Sequence, residues 1–364
     1  MSSIALGRSD VIVGVDTHKD QHVAVAVDGL GGTIGEARFV PATRDGYVEL
    51  VTWATMLGDI YAFGVEGCGS YGSGLARFLR RHDYKVFEVA RPARRGERRA
   101  VGKSDTIDAE HAARVVLSGQ GTATPKLADG LIEAIRLVKI ARDTAVKAHT
   151  TAIVTLKATL VTASDELRGE LEPLTDYQLV TACAGLDVAG DMADPDTAMR
   201  HTLVTLASRW LTLHDEIKTH TTHLKALTKT AAPQMLERFG IGFDTTAELL
   251  IAAGDNSDRI RNEAAFAKMC GVCPIPAGSG KTSGRHRLNR GGNRQANAAL
   301  YRVVIVRMRW HPATIAYVER RTAEGLSKKD IIRCLKRYVA REIYHLLPEP
   351  AVLETEADGL PDAA

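Results

Sequence analysis

Four carboxylates in the first third of the chain have the types and placement to hold a divalent cation. Asp16 closes the apolar run VIVGVD (11–16) and Glu66 closes YAFGVE (61–66). Asp105 and Asp108 stand three apart at the head of a helical stretch, hence on one face. Acids at strand ends along one sheet edge converge on a common crevice. Such hard oxygen donors suit Mg²⁺, and two such ions can stabilise both the attacking and the leaving oxygen of a phosphodiester. Taken alone, Asp105 reads better as a helix N-cap. An acid that ends an apolar strand, like Asp16 or Glu66, needs some partner.

A second segment with chemical potential is CGVCPIPAGSGKTSGRHRLNRGGNR (270–294). Ser279 and Ser283 lie among glycines, with Lys281, Arg285, Arg287, Arg290 and Arg294 close in sequence. A serine oxygen that attacks a phosphodiester keeps the bond energy in a phosphoserine link. Glycines let a backbone approach closely, and cations neutralise phosphate. From the residues alone, both serines serve equally well as parts of a glycine loop. GSGKTS resembles a phosphate-binding P-loop, but Ile275 stands where that motif needs its first glycine. Pro274 and Pro276 are also expected to spoil the strand before it. Cys270 and Cys273 form a lone CxxC without a second ligand pair, so buried small residues are expected rather than zinc. His220 and His223 lie three apart on a helix, but His220 falls in a heptad seam, where it would set register.

Net charge is only +3, yet its distribution is uneven. Between Lys281 and Arg341 sixteen Lys or Arg face three acids, a local excess that attracts phosphate backbones by counterion release. Arg94, Arg95, Arg98, Arg99 and Lys103 form a second basic run with only Glu97 in opposition. Apolar content of 45% excludes the disordered and fibrous classes, and no run of 18 apolar residues exists to span a membrane. Five scattered cysteines suit a reducing cytoplasm, and the first residues lack a signal-peptide layout.

The elements that must position these groups follow from patterning. Residues 11–16, 22–27 and 33–40 read as three strands. Thr43 then caps a helix through about Leu57, and strands at 61–66 and 85–90 flank a helix from Tyr71 to Arg81. Asp105 opens a helix through about Leu117. Three strands followed by alternating helix and strand imply a mixed α/β sheet with helices on its faces, an order that suits a ribonuclease-H-like domain over residues 1–124. Residues 125–232 read as a helical coiled-coil region: Leu203, Leu206, Trp210, Leu213, Ile217, His220, Leu224 and Leu227 hold a 3–4 spacing, and Leu131 to Leu156 repeats it more weakly. Residues 165–200 are expected to be a connector with little packing of its own. A mainly α-helical C-terminal domain spans 233–348. In it, Gly240 and Gly242 form a helix-hairpin-helix-like turn whose amides would meet a DNA phosphate, or simply a turn between packed helices. Residues 349–364, with five acids, read as a disordered tail.

VGVDTHKD around Asp16, VEGCGSYG around Glu66 and KSDTIDAEHAA around Asp105 and Asp108 resemble the three acidic blocks of the insertion-sequence one-ten family of transposases. GIGFDTTAELLIAAGD (240–255) and residues 270–301 are similar to that family's C-terminal half. The resemblance covers about 11–120 and 235–345. It implies a RuvC-like DEDD domain with Asp16, Glu66, Asp105 and Asp108 holding Mg²⁺, and a covalent link between Ser279 and DNA. By the same resemblance donor and target DNA would be selected by a structured bridge RNA, within a homotetramer in the bacterial cytoplasm, at the nucleoid. Three other readings stay open: a junction nuclease using water, a sugar-kinase or actin-like ATPase, and a nucleic-acid-binding regulator without catalysis.

Overall fold

The computed structural model describes residues 7–90, 104–120, 123–278, 286–289 and 291–349. By its contacts the chain divides into two units. One comprises residues 1–132, 252–294 and 337–364, the other residues 133–251 and 295–336.

The first unit is built on a five-stranded sheet of β1 (Asp10–Thr17), β2 (Gln21–Asp28), β3 (Thr33–Pro41), β4 (Asp59–Glu66) and β5 (Val86–Val89), in the order β3-β2-β1-β4-β5. The first three strands run antiparallel, whereas β4 lies parallel to both β1 and β5. Helices α1 (Arg44–Thr55), α2 (Ser73–Arg81) and α3 (Asp105–Leu117) complete the domain. Strand β1 is covered on both faces, which is why its sequence is an unbroken apolar run rather than an alternation. Val11, Val13, Val15, Phe63 and Val65 pack against Leu50 and Val51 of α1 and Leu75 and Leu79 of α2. The opposite set, Ile12 and Ala62, meets Ala112, Ala113 and Val116 of α3. Thr43 caps α1 as its sequence predicts, accepting the Gly46 N–H at 3.3 Å. This mixed sheet with helices on its faces fits a ribonuclease-H/RuvC-like domain.

The remaining helices are α4 (Leu131–Leu160), α5 (Asp165–Leu171), α6 (Asp176–Ala184), α7 (Pro195–Ala231), α8 (Pro233–Leu236), α9 (Phe243–Ala253), α10 (Glu263–Met269), α11 (Arg294–Trp310), α12 (Pro312–Ala323) and α13 (Lys328–Tyr344). Among its described residues the second unit is built of helices and connecting turns, with no strand. Along α7 the heptad positions Leu203, Trp210 and Leu224 are buried and Leu206, Leu213, Ile217, His220 and Leu227 half-buried, so the seam faces inward. The stretch expected to be a loosely packed connector is instead part of a core. Leu167 and Leu171 of α5 and Leu179, Val180 and Cys183 of α6 are buried with Leu156, Leu203, Ala207 and Trp210. Two signals account for it: leucines four apart in DELRGEL, and a capping box of Thr175 and Gln178 that starts α6.

Within the first unit, residues distant in sequence are fastened to the sheet domain's exit. The Asp255 carboxylate accepts the Ile132 N–H at 2.8 Å. Asn256 accepts the Leu127 N–H at 3.2 Å and donates to the Pro125 carbonyl at 3.0 Å. Arg259 donates to the carbonyls of Ala253 and Thr124 at 2.8 and 3.5 Å. A two-stranded ribbon follows α10, with β6 (Pro274–Pro276) antiparallel to β7 (His286–Leu288). The two prolines do not abolish β6 as expected, because a three-residue strand in a two-stranded ribbon leaves an edge where a missing N–H is tolerated.

Candidate active site

The pleat of the sheet and two glycines set Asp16 beside Glu66 at the strand ends and carry the first turn of α3 towards Asp16. Side chains alternate across a strand, so Asp16 follows Ile12 and Gly14 onto the face covered by α3, and Glu66 follows Ala62 and Gly64. Val15 pairs with Val65 in the parallel register, which sets Asp16 and Glu66 side by side at the strand ends. Helix α3 lies directly on this face. A Cβ on Gly14 would stand 2.0 Å from the Ala109 carbonyl oxygen and 2.4 Å from the Ala113 nitrogen, and one on Gly64 would stand 2.7 Å from the Ala112 oxygen. Only bare backbone at both positions admits the helix so closely. Its first turn, with Asp105 and Asp108, is thereby carried to the strand ends. Ser104, not Asp105, occupies the cap position, so the capping alternative for Asp105 falls away.

Asp16 and Glu66 are each 7% exposed. Burial pushes the Asp16 carboxyl above its ordinary range; His18 pulls it down, while Asp108 and Asp105 push it up again. The Thr17 hydroxyl donates to the Glu66 carbonyl at 2.8 Å and ties the two strand ends. His18, a residue the sequence did not single out, completes the cluster: its Nε2 stands 3.3 Å from Asp16 Oδ2 and 3.4 Å from Asp105 Oδ1. That nitrogen is buried and makes no hydrogen bond. Among the described residues, Asp16, His18 and Asp105 are the group whose ligand atoms come together as a metal ion requires, all within 4.8 Å. Converging carboxylates, one of them raised in pKa, and an orphaned imidazole nitrogen fit a divalent cation. His18 is legible in hindsight only from its position two residues after Asp16 at a strand end.

Matches to known proteins follow the same division of the chain. The model of a DEDD-type IS110 transposase domain matches residues 13–164, and one described as the transposase IS116/IS110/IS902 family matches residues 234–319. The chain belongs to the IS110 family of transposases. It is 26% identical over 152 residues to an insertion-element IS110 protein of 43.6 kDa from Streptomyces coelicolor, covering 41% of this chain and 37% of that protein. To an insertion-element IS900 protein of 42 kDa from Mycobacterium paratuberculosis it is 27% identical over 113 residues, covering 31% and 28%. The matched stretch is thus less than two-fifths of either relative's length.

Against this transposase framework the other candidate residues fall as follows. Ser279, Ser283, Lys281, Arg285 and Arg290 lie outside the described residues, as do Arg94, Arg95, Arg98, Arg99 and Lys103. The ribbon β6–β7 brackets the serine segment, and Arg287 on β7 and Arg294 at the start of α11 are exposed. The ribbon's base is fixed on α10: Asn293 donates its N–H to the Met269 carbonyl at 2.7 Å, and Asn289 donates to that of Lys268 at 3.1 Å. A Cβ on Gly292 would stand 2.1 Å from the Gly271 nitrogen, which accounts for one glycine of the Gly-Gly pair. Cys270 is buried, and that burial pushes its thiol up to about 12. Gly240 has φ +77, a conformation that favours glycine, and faces Val306 and Arg307 of α11; Gly242 has open space around it. No helix among the described residues is long and apolar enough to cross a membrane.

Proposed function

We propose that this IS110-family chain is a DNA transposase and site-specific recombinase whose acids act with Mg²⁺ and whose nucleophile is Ser279. The observation that carries the reading is the seating of α3 on Gly14 and Gly64, which gathers Asp16 and Asp105 with His18 and sets Glu66 beside them. Asp16, Glu66, Asp105 and Asp108 would hold the metal, with His18 Nε2 facing the same crevice. A bound divalent ion supplies charge neutralisation for a phosphodiester in the transition state. The chain's own groups do the rest. The Ser279 oxygen forms a bond to phosphorus as one ester bond to a deoxyribose oxygen breaks, and the serine proton ends on the departing hydroxyl. Attack by the hydroxyl of another strand reverses the step and joins new partners without an external energy source. Lys281, Arg285, Arg287, Arg290 and Arg294 place positive charge around the phosphate, and the basic run from Arg94 to Lys103 extends the footprint. Selection of target by a structured RNA, and assembly as a tetramer, belong to the same proposal through the family resemblance.

Protein purified from cells carrying the whole element, with donor and target DNA, tests this directly. Mg²⁺-dependent covalent adducts are expected with the wild type and lost in Ser279→Ala and Asp16→Ala, together with a defined co-purifying RNA. Strand cleavage that survives Ser279→Ala would instead identify water as the nucleophile and a junction-nuclease mechanism.

A further inference from the structure

The second unit carries several exposed aromatic rings that are not part of its buried core. Trp310, the last residue of α11, is 62% exposed, Tyr301 of the same helix 47%, and Phe239 46%. The other two tryptophans, Trp53 and Trp210, are buried. Leaving such rings in water forgoes the burial that normally makes them core residues.

These rings are held in place rather than left loose. The Phe239 carbonyl accepts a hydrogen bond from Arg307 Nε at 2.9 Å, and its ring packs on His311 with centroids 5.4 Å apart. His311 is itself fixed, as the N-cap residue of α12 with Nδ1 2.8 Å from the buried Thr314 hydroxyl. The Arg309 guanidinium lies over the Trp310 ring at 5.0 Å. Helix α11 contains four arginines and no acid. Tyr301, Ile305 and Arg309 recur four residues apart on its exposed side. Preorganised rings with cations beside them match the faces of unpaired bases and the phosphates that link them. In a duplex those faces are covered by neighbouring bases, so it is only the unpaired strand that can use the rings.

We infer that Phe239, His311 and Trp310 form a stacking platform for single-stranded DNA, the species that strand exchange must expose. This rests on the transposase reading and adds to it a second nucleic-acid contact, made by residues other than the acids and the serine. A charged, ring-bearing surface of this composition is poorly suited to an apolar protein partner, because burying the Arg309 guanidinium against one would strip its hydration.

The test uses the full chain in EDTA, so that binding is read without chemistry. Oligodeoxythymidine, the matching RNA oligomer and a hairpin-closed DNA duplex are titrated by fluorescence anisotropy and by tryptophan emission, to which Trp310 is the exposed contributor. Oligodeoxythymidine is expected to quench wild-type emission. Phe239→Ala and Trp310→Ala are each expected to weaken its binding by roughly 5- to 150-fold, the equivalent of one lost stacked base, and to leave duplex binding unchanged. Trp310→Phe should lose the optical signal but keep the affinity, which separates stacking from folding defects. Equal weakening on duplex and single strand, or alanine variants that bind single strands as the wild type does, would overturn the platform. Binding of the RNA oligomer alone would overturn its assignment to DNA. Failure of the wild type to bind any of the three would sink the transposase reading with it; wild-type binding untouched by the ring variants would sink only the platform.

Discussion

Replacing Gly14 by alanine tests whether the closeness of α3 to the sheet is what builds the acidic centre. The added Cβ would lie 2.0 Å from the Ala109 oxygen and 2.4 Å from the Ala113 nitrogen, both backbone atoms of the helix. Ordinary contact is roughly 3.5 Å, so the helix must rise by on the order of 1 Å or more. Overpacking of this kind costs about 1–3 kcal/mol, which in a domain of this size lowers the melting temperature by roughly 2–10 °C. The displaced helix carries Asp105 and Asp108 away from Asp16 and Glu66, and misplacement of about 1 Å can cost about 100-fold in rate. Thermal melting and Mg²⁺-dependent DNA cleavage read the two effects separately. Gly169→Ala is the control: no atom lies within 4 Å of its added carbon, and it sits within helix α5, where alanine is favoured by up to about 1 kcal/mol. A Gly14→Ala protein with wild-type melting and cleavage would refute the idea that glycine–helix contact sets the site.

Further expectations concern charge and anchoring. Mg²⁺ or Mn²⁺ should raise the melting temperature of the wild type and leave Asp16→Asn unchanged; an equal shift in both would place the ion elsewhere. Lys139 is buried in the second unit among Asp143, Asp244 and Glu248, at 3.0, 2.9 and 3.2 Å. Lys139→Ala should therefore cost about 3–5 kcal/mol in urea unfolding, since three acids lose their central cation. Burial alone would raise the Asp244 carboxyl, but the Lys139 hydrogen bond and the charges of Lys139, Arg302 and Arg142 outweigh it and hold it below its ordinary 3.8. The folded value being the lower one, the stability Asp244 contributes is complete above 3.8 and is lost as pH falls through the folded value. Asp244→Asn should flatten that acid limb of stability against pH. Asn256→Ala should cost about 1–3 kcal/mol by leaving the Leu127 N–H and Pro125 carbonyl unpaired, with loss confined to stability.

The sheet domain was legible because its signals are local. Val-rich runs broken by Gly or Asp turns marked all five strands, and Thr43 marked the start of α1. The acids could be grouped from strand ends and a three-residue spacing; of them, Asp16 and Asp105 come together with His18 as a metal ion requires. What could not be read is long-range. Nothing local to Asp255, Asn256 or Arg259 says that they close onto Thr124, Pro125, Leu127 and Ile132, more than a hundred residues earlier. The packed α5–α6 segment was obscured for a different reason: its Asp, Pro and Thr content describes the exposed side, while five buried residues carry the core.

The same contrast explains why Gly14 and Gly64 went unnoticed while the acids did not. An acid at a strand end is conspicuous by chemistry, whereas a glycine within a strand announces only a weakness until the partner backbone is known. Here the partner is α3, whose own small residues, Ala109, Ala112 and Ala113, are fully buried against the strands. Glycine on one side and alanine on the other shorten the helix-to-sheet distance from both directions. A helix held off by larger side chains would still present Asp105 and Asp108 on one face. It would present them too far from Asp16 to share one cation, and burial alone would raise the Asp16 carboxyl, without the repulsion that Asp108 and Asp105 now add. Spacing in the sequence selects the acids, and the missing side chains at Gly14 and Gly64 decide whether they meet.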